Sequence, residues 1–195
     1  MMRSLDALPN APLSGGGTVT ALFSEAGIED FHGAARHLLG LPYWRTSDRS
    51  KPALVLTEGR GTCSSKHALL AELAHELGLD VRLTLGIFEM SAWTHPELKP
   101  VLEQHNLACI PEAHCYVVHD GARIDITRVA TVPGTPIDRF LHEETITPAQ
   151  IASYKVDVHR RYLADWITRT AAVRDRSLDE VWSAREACIA ALGEA

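Results

Sequence analysis

Cys63 follows Gly61-Thr62, where a Gly59-Arg60-Gly61 turn gives way to an Ala- and Leu-rich run, which places the cysteine on the first turn of a helix. Unpaired backbone N–H groups and the positive end of the helix dipole favour a thiolate there, lower the pKa of a cysteine and make it nucleophilic. Such a nucleophile needs a base. The segment from His114 to Thr127 offers one on a β-hairpin pattern, two β-rich runs around Asp120-Gly121, the dipeptide that favours a type I′ turn. With a two-residue loop, opposed residue numbers sum to 241, so His114 faces Thr127 and Tyr116 faces Asp125. Side chains alternate, so His114, Tyr116, Val118, Arg123, Asp125 and Thr127 share one face, while Cys115, Val117, Ala122, Ile124 and Ile126 form an apolar face expected to pack on the core. His114 and Asp125 are then diagonal neighbours, about 7–8 Å apart between Cα atoms. An aspartate so placed fixes the imidazole tautomer and stabilises the imidazolium. A three-residue loop would put the two on opposite faces, so the constellation depends on that turn.

The elements that must position these residues are legible in outline. Residues 1–17 are rich in Pro, Gly and Ser, show no hydrophobic period and are expected to form a flexible N-terminal arm. From Thr18 to about Leu39 apolar residues recur at helical spacing, and Gly27 divides the stretch into two short helices. Residues 40–52 form a loop carrying Tyr43 and Trp44. The helix from Cys63 to about Leu77 is apolar on most faces, hence buried and central, and Gly78 ends it. Val81–Phe88 reads as a strand and Pro96–His105 as a short helix. Thr147-Pro148 opens a long helix to about Thr168, and Ser177 with Glu180 forms a capping box for the last one. The expected class is α+β, with a single domain over 18–195, a core at about 53–130 and C-terminal helices at about 147–192.

The chain has 195 residues, a net charge of −6, 46% hydrophobic and 23% charged residues, which is too apolar for disorder and long enough to bury a core without staples. Nucleic acid and anionic membranes are disfavoured as partners, because both require a concentrated Lys/Arg face. No apolar run is long enough for a signal peptide or a membrane span, and four cysteines without a CxxC pair suit a reducing compartment, so a cytoplasmic location is expected. Cys109, Cys115 and Cys188 are assigned packing roles. A zinc set drawn from Cys63, Cys109, His114, Cys115 and His119 is the weaker reading, since no CxxC or HxxxH spacing occurs and His114 and Cys115 point to opposite faces. No metal and no cofactor are called for.

The pattern Gly61-Thr62-Cys63, the helix through His67-Ala68-Leu69-Leu70-Ala71-Glu72-Leu73-Ala74-His75-Glu76-Leu77-Gly78-Leu79, Val81-Arg82 leading to Gly86, then His114 and Asp125 on successive strands, resembles the transglutaminase-like core of the papain-related cysteine enzymes. The resemblance covers about residues 53–130. One departure is Cys115, where the family often has a small residue followed by Trp. The resemblance implies a Cys63-His114-Asp125 triad, which the helix-start and hairpin arguments reach independently. The implied chemistry is attack of the Cys63 thiolate on an amide or ester carbonyl to give a thioester, with His114 moving the proton to the leaving group. Water or a second amine resolves it, so hydrolase comes first and acyl transferase second, with a non-catalytic binding domain of the same fold as the alternative from a different class.

The oxyanion would be held by the Cys63 N–H and one side-chain donor, for which Tyr43, Trp44 and Gln104 are candidates. Tyr43, Trp44 and Tyr116 are candidate substrate contacts, and the substrate class is a small molecule or peptide. Ser64, Ser65 and Lys66 are expected to sit in the first helical turn without chemistry, Lys66 in solvent. His67 runs along the same helix face, and His75, His95, His105, His119, His142 and His159 are expected at the surface or in caps. Tyr154, Tyr162, Trp166 and Trp182 read as core or helix-packing positions, with a homodimer contact as the alternative.

Overall fold

The structure is a computed structural model that describes residues 2–128, 137 and 139–194. In chain order its elements are β1 (Met2–Arg3), α1 (Thr18–Glu25), α2 (Phe31–Gly40), α3 (Leu54–Glu58), α4 (Cys63–Glu76), β2 (Arg82–Ser91), α5 (Lys99–Gln104), β3 (Cys109–His119), β4 (Ala122–Ile124), β5 (His142–Thr145), α6 (Ser153–Arg169) and α7 (Leu178–Glu194). The fold is α+β. The five strands form one sheet in the order β1-β4-β3-β2-β5, with β1 parallel to β4 and every other pair antiparallel.

The β3–β4 turn has the expected geometry: His119 pairs with Ala122, Val118 with Arg123 and Val117 with Ile124. Asp120 and Gly121 both adopt positive φ, 47° and 75°, as a type I′ turn requires. The ladder is shorter than the hairpin pattern suggests. It stops at Ile124, and the next three residues are taken over by α4, where Ile126 N–H donates to His67 Nε2 and the Lys66 ammonium donates to Thr127 O and Leu41 O at 2.7 and 2.6 Å. Lys66 is therefore fully buried, and the expectation that it is solvated is corrected: two carbonyls that have no strand partner need a donor, and a long side chain from the central helix reaches both.

Both faces of the sheet are covered. The apolar face, Leu83, Leu85, Ile87, Ala113 and Cys115, packs against Ala68 and Ala71 of α4. The face carrying His114 and Tyr116 is buried as well, against Phe88 and Phe140, which is why β2 and β3 read as nearly continuous buried runs. Gly86 lies opposite His114 in the register, and a Cβ there would come within 2.4 Å of the Phe140 ring, so this ring's close approach depends on glycine. A further apolar cluster joins α5, α6 and α7 to Phe88, Met90 and Ile110.

Two other expectations are corrected, and one strand appears that the sequence pattern does not announce. The N-terminal segment is not a loose arm: Met2 and Arg3 pair with β4, Leu8 is buried, and backbone bonds run from Leu13 N to Glu29 O and from Phe31 N to Ala11 O. Scattered apolar residues and a few backbone bonds tie it down without any period. The helix opened by Thr147-Pro148 is interrupted, with a 3-10 turn over Pro148–Ile151 and a non-helical Ala152 preceding α6. The strand β5 has the charged sequence His-Glu-Glu-Thr that suits a sheet edge rather than a propensity rule.

Lys66→Met keeps the volume but leaves the Leu41 and Thr127 carbonyls without their charged donor, and should lower unfolding free energy by about 2–4 kcal/mol in urea titrations. A loss below about 0.5 kcal/mol would show that these bonds do not hold the segment after β4.

Candidate active site

Cys63 is the first residue of α4, following Thr62, whose N–H donates to Ser65 Oγ at 3.0 Å in a capping arrangement. Its side chain is almost wholly buried, 6% exposed. Because β4 pairs only with Val117, Val118 and His119, the earlier part of β3 has no described strand on that side. The Cys63 thiol lies near His114 and the Cys115 backbone N–H, both of which favour its thiolate form. His114 Nε2 lies 2.7 Å from Asp125 Oδ2. With Nε2 committed to the carboxylate, Nδ1 is the ring nitrogen left for sulfur. Asp125 is itself fixed: its Oδ1 accepts from Thr127 N–H at 2.8 Å and Thr127 Oγ1 at 2.5 Å. The sequence-predicted residues Cys63, His114 and Asp125 are therefore in one line of contacts.

His67, one turn along α4, serves this arrangement without entering it. Its Nε2 accepts from Ile126 N–H, so Nδ1 carries the proton and donates to Cys63 O at 2.7 Å. Burial holds its pKa down to about 4, so the ring stays neutral and pins the residue after Asp125 to the helix bearing Cys63.

Lys155 was not singled out from the sequence. It projects from α6, is 8% exposed, and its Nζ lies 2.7 Å from Ser64 Oγ and 3.8 Å from Cys63 Sγ. Among the described residues no carboxylate forms an ion pair with it. Burial alone would push the Cys63 thiol up, but the Lys155 and His114 charges outweigh it and bring the pKa down to about 6. Burial works against protonated His114, whereas Asp125 and the thiolate hold its pKa well above the usual value. Burial also raises Asp125, and the His114 charge overrides this to keep it well below the usual carboxylate range. The pair stands at neutral pH as thiolate and imidazolium.

The signal for Lys155 was present. Lys155, His159, Leu163 and Ile167 are spaced by four and form the buried stripe of α6, so a lysine and a histidine lie on the apolar side of an otherwise polar helix. His159 is buried, contrary to the surface assignment, and its Nε2 donates to Pro111 O at 2.7 Å. His95 is likewise drawn inward against Phe88, with ring centroids 5.9 Å apart. Beside His159, Glu112 of β3 receives a bidentate bond from Arg185 of α7, Nε to Oε2 at 2.7 Å and Nη2 to Oε1 at 2.5 Å. Arg185 Nη1 donates to Glu186, which also accepts from Arg45.

These residues wall a cleft of about 60 Å³ over Cys63, room for a few water molecules or one small group. Tyr43 lines it, as do Arg45, Arg49, Ile151, Trp182 and Ile189. Two other candidate contacts lie elsewhere. Trp44 lines an adjoining hollow and covers Gly193 of α7, where the absence of a Cβ admits its ring. Tyr116 is fully buried on the far side of His114, stacked on its ring, with its hydroxyl donating to Glu143, so it supports the base rather than meeting substrate. Gln104 is exposed at the end of α5 and does not line the cleft. His114 and Cys115 project to opposite faces of β3, and no group of three potential metal ligands occurs among the described residues. Compared with protein-family models, curated proteins and solved structures, the chain matches none.

Lys155→Met should raise the midpoint of the pH profile for Cys63 alkylation by iodoacetamide from about 6 by about one pH unit or more, because the thiolate loses a neighbouring cation. An unchanged midpoint would assign the depressed pKa to His114 and the helix terminus alone.

Proposed function

We propose that this protein is a cysteine-dependent hydrolase of an amide or ester bond that works through a thioester acyl-enzyme. The observation that carries the reading is the placement of Cys63 in the wall of a cleft, with the buried His114 beside it hydrogen-bonded to Asp125. A transglutaminase-like, papain-related core is the fold reading that accompanies it, supported by a buried helix that starts at the nucleophile and packs on an antiparallel sheet bearing the base. No helix of the described residues is long and apolar enough to cross a membrane.

The Cys63 thiolate attacks the carbonyl carbon, an S–C bond forms, and the C=O π pair moves onto oxygen. The Lys155 ammonium, beside Sγ and lining the same cleft, is the side-chain donor placed to meet that oxyanion, with the Cys63 N–H as the second. As the tetrahedral adduct collapses, His114 gives its Nδ1 proton to the departing amine or alcohol. Neutral His114 then takes a proton from water, whose oxygen attacks the thioester. The second collapse breaks the S–C bond, restoring the thiolate and the imidazolium. Asp125 keeps Nε2–H oriented throughout and compensates the imidazolium charge.

p-Nitrophenyl acetate should release nitrophenolate with a burst and leave one acetyl group on Cys63, visible in the intact mass. Cys63→Ser should abolish the adduct, and Asp125→Asn should slow its formation at least about a hundredfold with the fold retained. Acetylation spread evenly over lysines, or a full rate in Asp125→Asn, would contradict the reading.

A further inference from the structure

The proposed reaction leaves the substrate open, and the charges around the cleft narrow it. The whole chain carries a net charge of −6, yet the lining of this cleft contains Arg45, Arg49, Lys155 and Arg185 against the single carboxylate of Glu112. Most of these cations are occupied. Arg185 gives Nε and Nη2 to Glu112 and Nη1 to Glu186, and Lys155 faces Ser64 and the Cys63 sulfur. Arg45 and Arg185 together face two carboxylates, Glu186 and Glu112, and are balanced by them. Arg49 forms no ion pair among the described residues and is exposed in the loop that rims the cleft. The rim therefore holds positive charge that no protein group neutralises, beside a wall of Ile151, Val156, Trp182 and Ile189.

Acylation removes the anion nearest Lys155. Once Cys63 is a neutral thioester and His114 has given up its proton, the net charge of the site is unchanged, but the Lys155 ammonium no longer faces the thiolate. A neutral acyl group would leave the buried Lys155 ammonium without that anion, whereas an anionic one restores it.

We infer that the site is built for a short acyl donor carrying a carboxylate near the scissile carbonyl, which Arg49 and Arg45 at the rim attract and hold. This rests on the reading of Cys63 as an activated nucleophile. The small free volume above the sulfur limits the acyl part to a few heavy atoms, and Arg45 and Arg49, both exposed, line the same cleft. Arginine suits this task, since its planar fork matches a carboxylate bidentately.

Two alkylating reagents that form the same Sγ–CH2 bond and expel the same iodide separate the two ideas. Iodoacetate carries a carboxylate and iodoacetamide is neutral; ordinary thiolates do not prefer the former. On the intact protein at low salt and neutral pH, with Cys63 followed by peptide mass mapping, iodoacetate should react about tenfold faster than iodoacetamide, with a rate that saturates and falls as salt is added. Arg49→Ala should remove most of that preference, and Arg49→Glu should reverse it, both leaving the iodoacetamide rate within about twofold. Equal rates of the two reagents in the wild-type protein, or a preference that survives Arg49→Glu, would overturn the inference while leaving the nucleophile intact. Slow iodoacetamide labelling of Cys63, no faster than of Cys109, would instead remove the activated nucleophile on which it rests.

Discussion

The structure around the cleft depends on one electrostatic fact: a lysine ammonium is buried 3.8 Å from a cysteine sulfur, and no carboxylate among the described residues pairs with it. A buried cation without an anion is costly enough that the group would ordinarily discharge. Lys155 instead keeps its proton, although burial opposes it, because the Cys63 thiolate and the Glu112 carboxylate nearby compensate it. At an effective dielectric constant of about 20, unit charges at this distance attract by about 4 kcal/mol, equivalent to about three pKa units. A helix N-terminus supplies about 0.3–1 kcal/mol, less than one unit. The position of Cys63 on α4 orients the sulfur, but the fixed cations are what can overcome burial and keep it ionised.

Other features follow from having to place those cations. The strand β4 ends early, which leaves the part of β3 at His114 and Cys115 without a described strand on that side, next to Cys63. The three residues after Ile124 then lack strand partners, and α4 supplies them through His67 and Lys66, which fixes Asp125 at hydrogen-bond distance from His114. Helix α6 must present Lys155 and His159 inward, and α7 must bring Arg185 onto Glu112. That buried pair holds the Glu112 carboxylate down to about 2 against burial, so the acid nearest the cleft stays charged and bound. Were Glu112 free, it would compete with the thiolate for Lys155.

How much of this could be read from residues alone differs by element for physical reasons. The Asp120-Gly121 turn fixed its own register, because two consecutive positive φ angles admit few residue types, and from that register the placement of His114 against Asp125 follows. The start of α4 was legible from glycines followed by an Ala- and Leu-rich run. The short edge strands β1 and β5 were not, since pairing at a sheet edge depends on what lies beside it. Lys155 stands 92 residues from Cys63, and proximity at that separation arises from packing. Its trace is one of composition, a charged residue on the apolar stripe of a helix, and the same trace marks Arg185 on α7 and Lys66 on α4. The burial of His114 and Tyr116 was missed because Phe140, the ring covering their face of the sheet, lies outside the hairpin pattern.

The central claim is that Cys63 is held ionised by buried cations, and the ultraviolet absorbance of the thiolate tests it without any substrate. Titrated against Cys63→Ser, the protein should show one extra thiolate that persists to about pH 6 and disappears below it. A difference signal that appears only above about pH 8, where an ordinary cysteine ionises, would contradict the account.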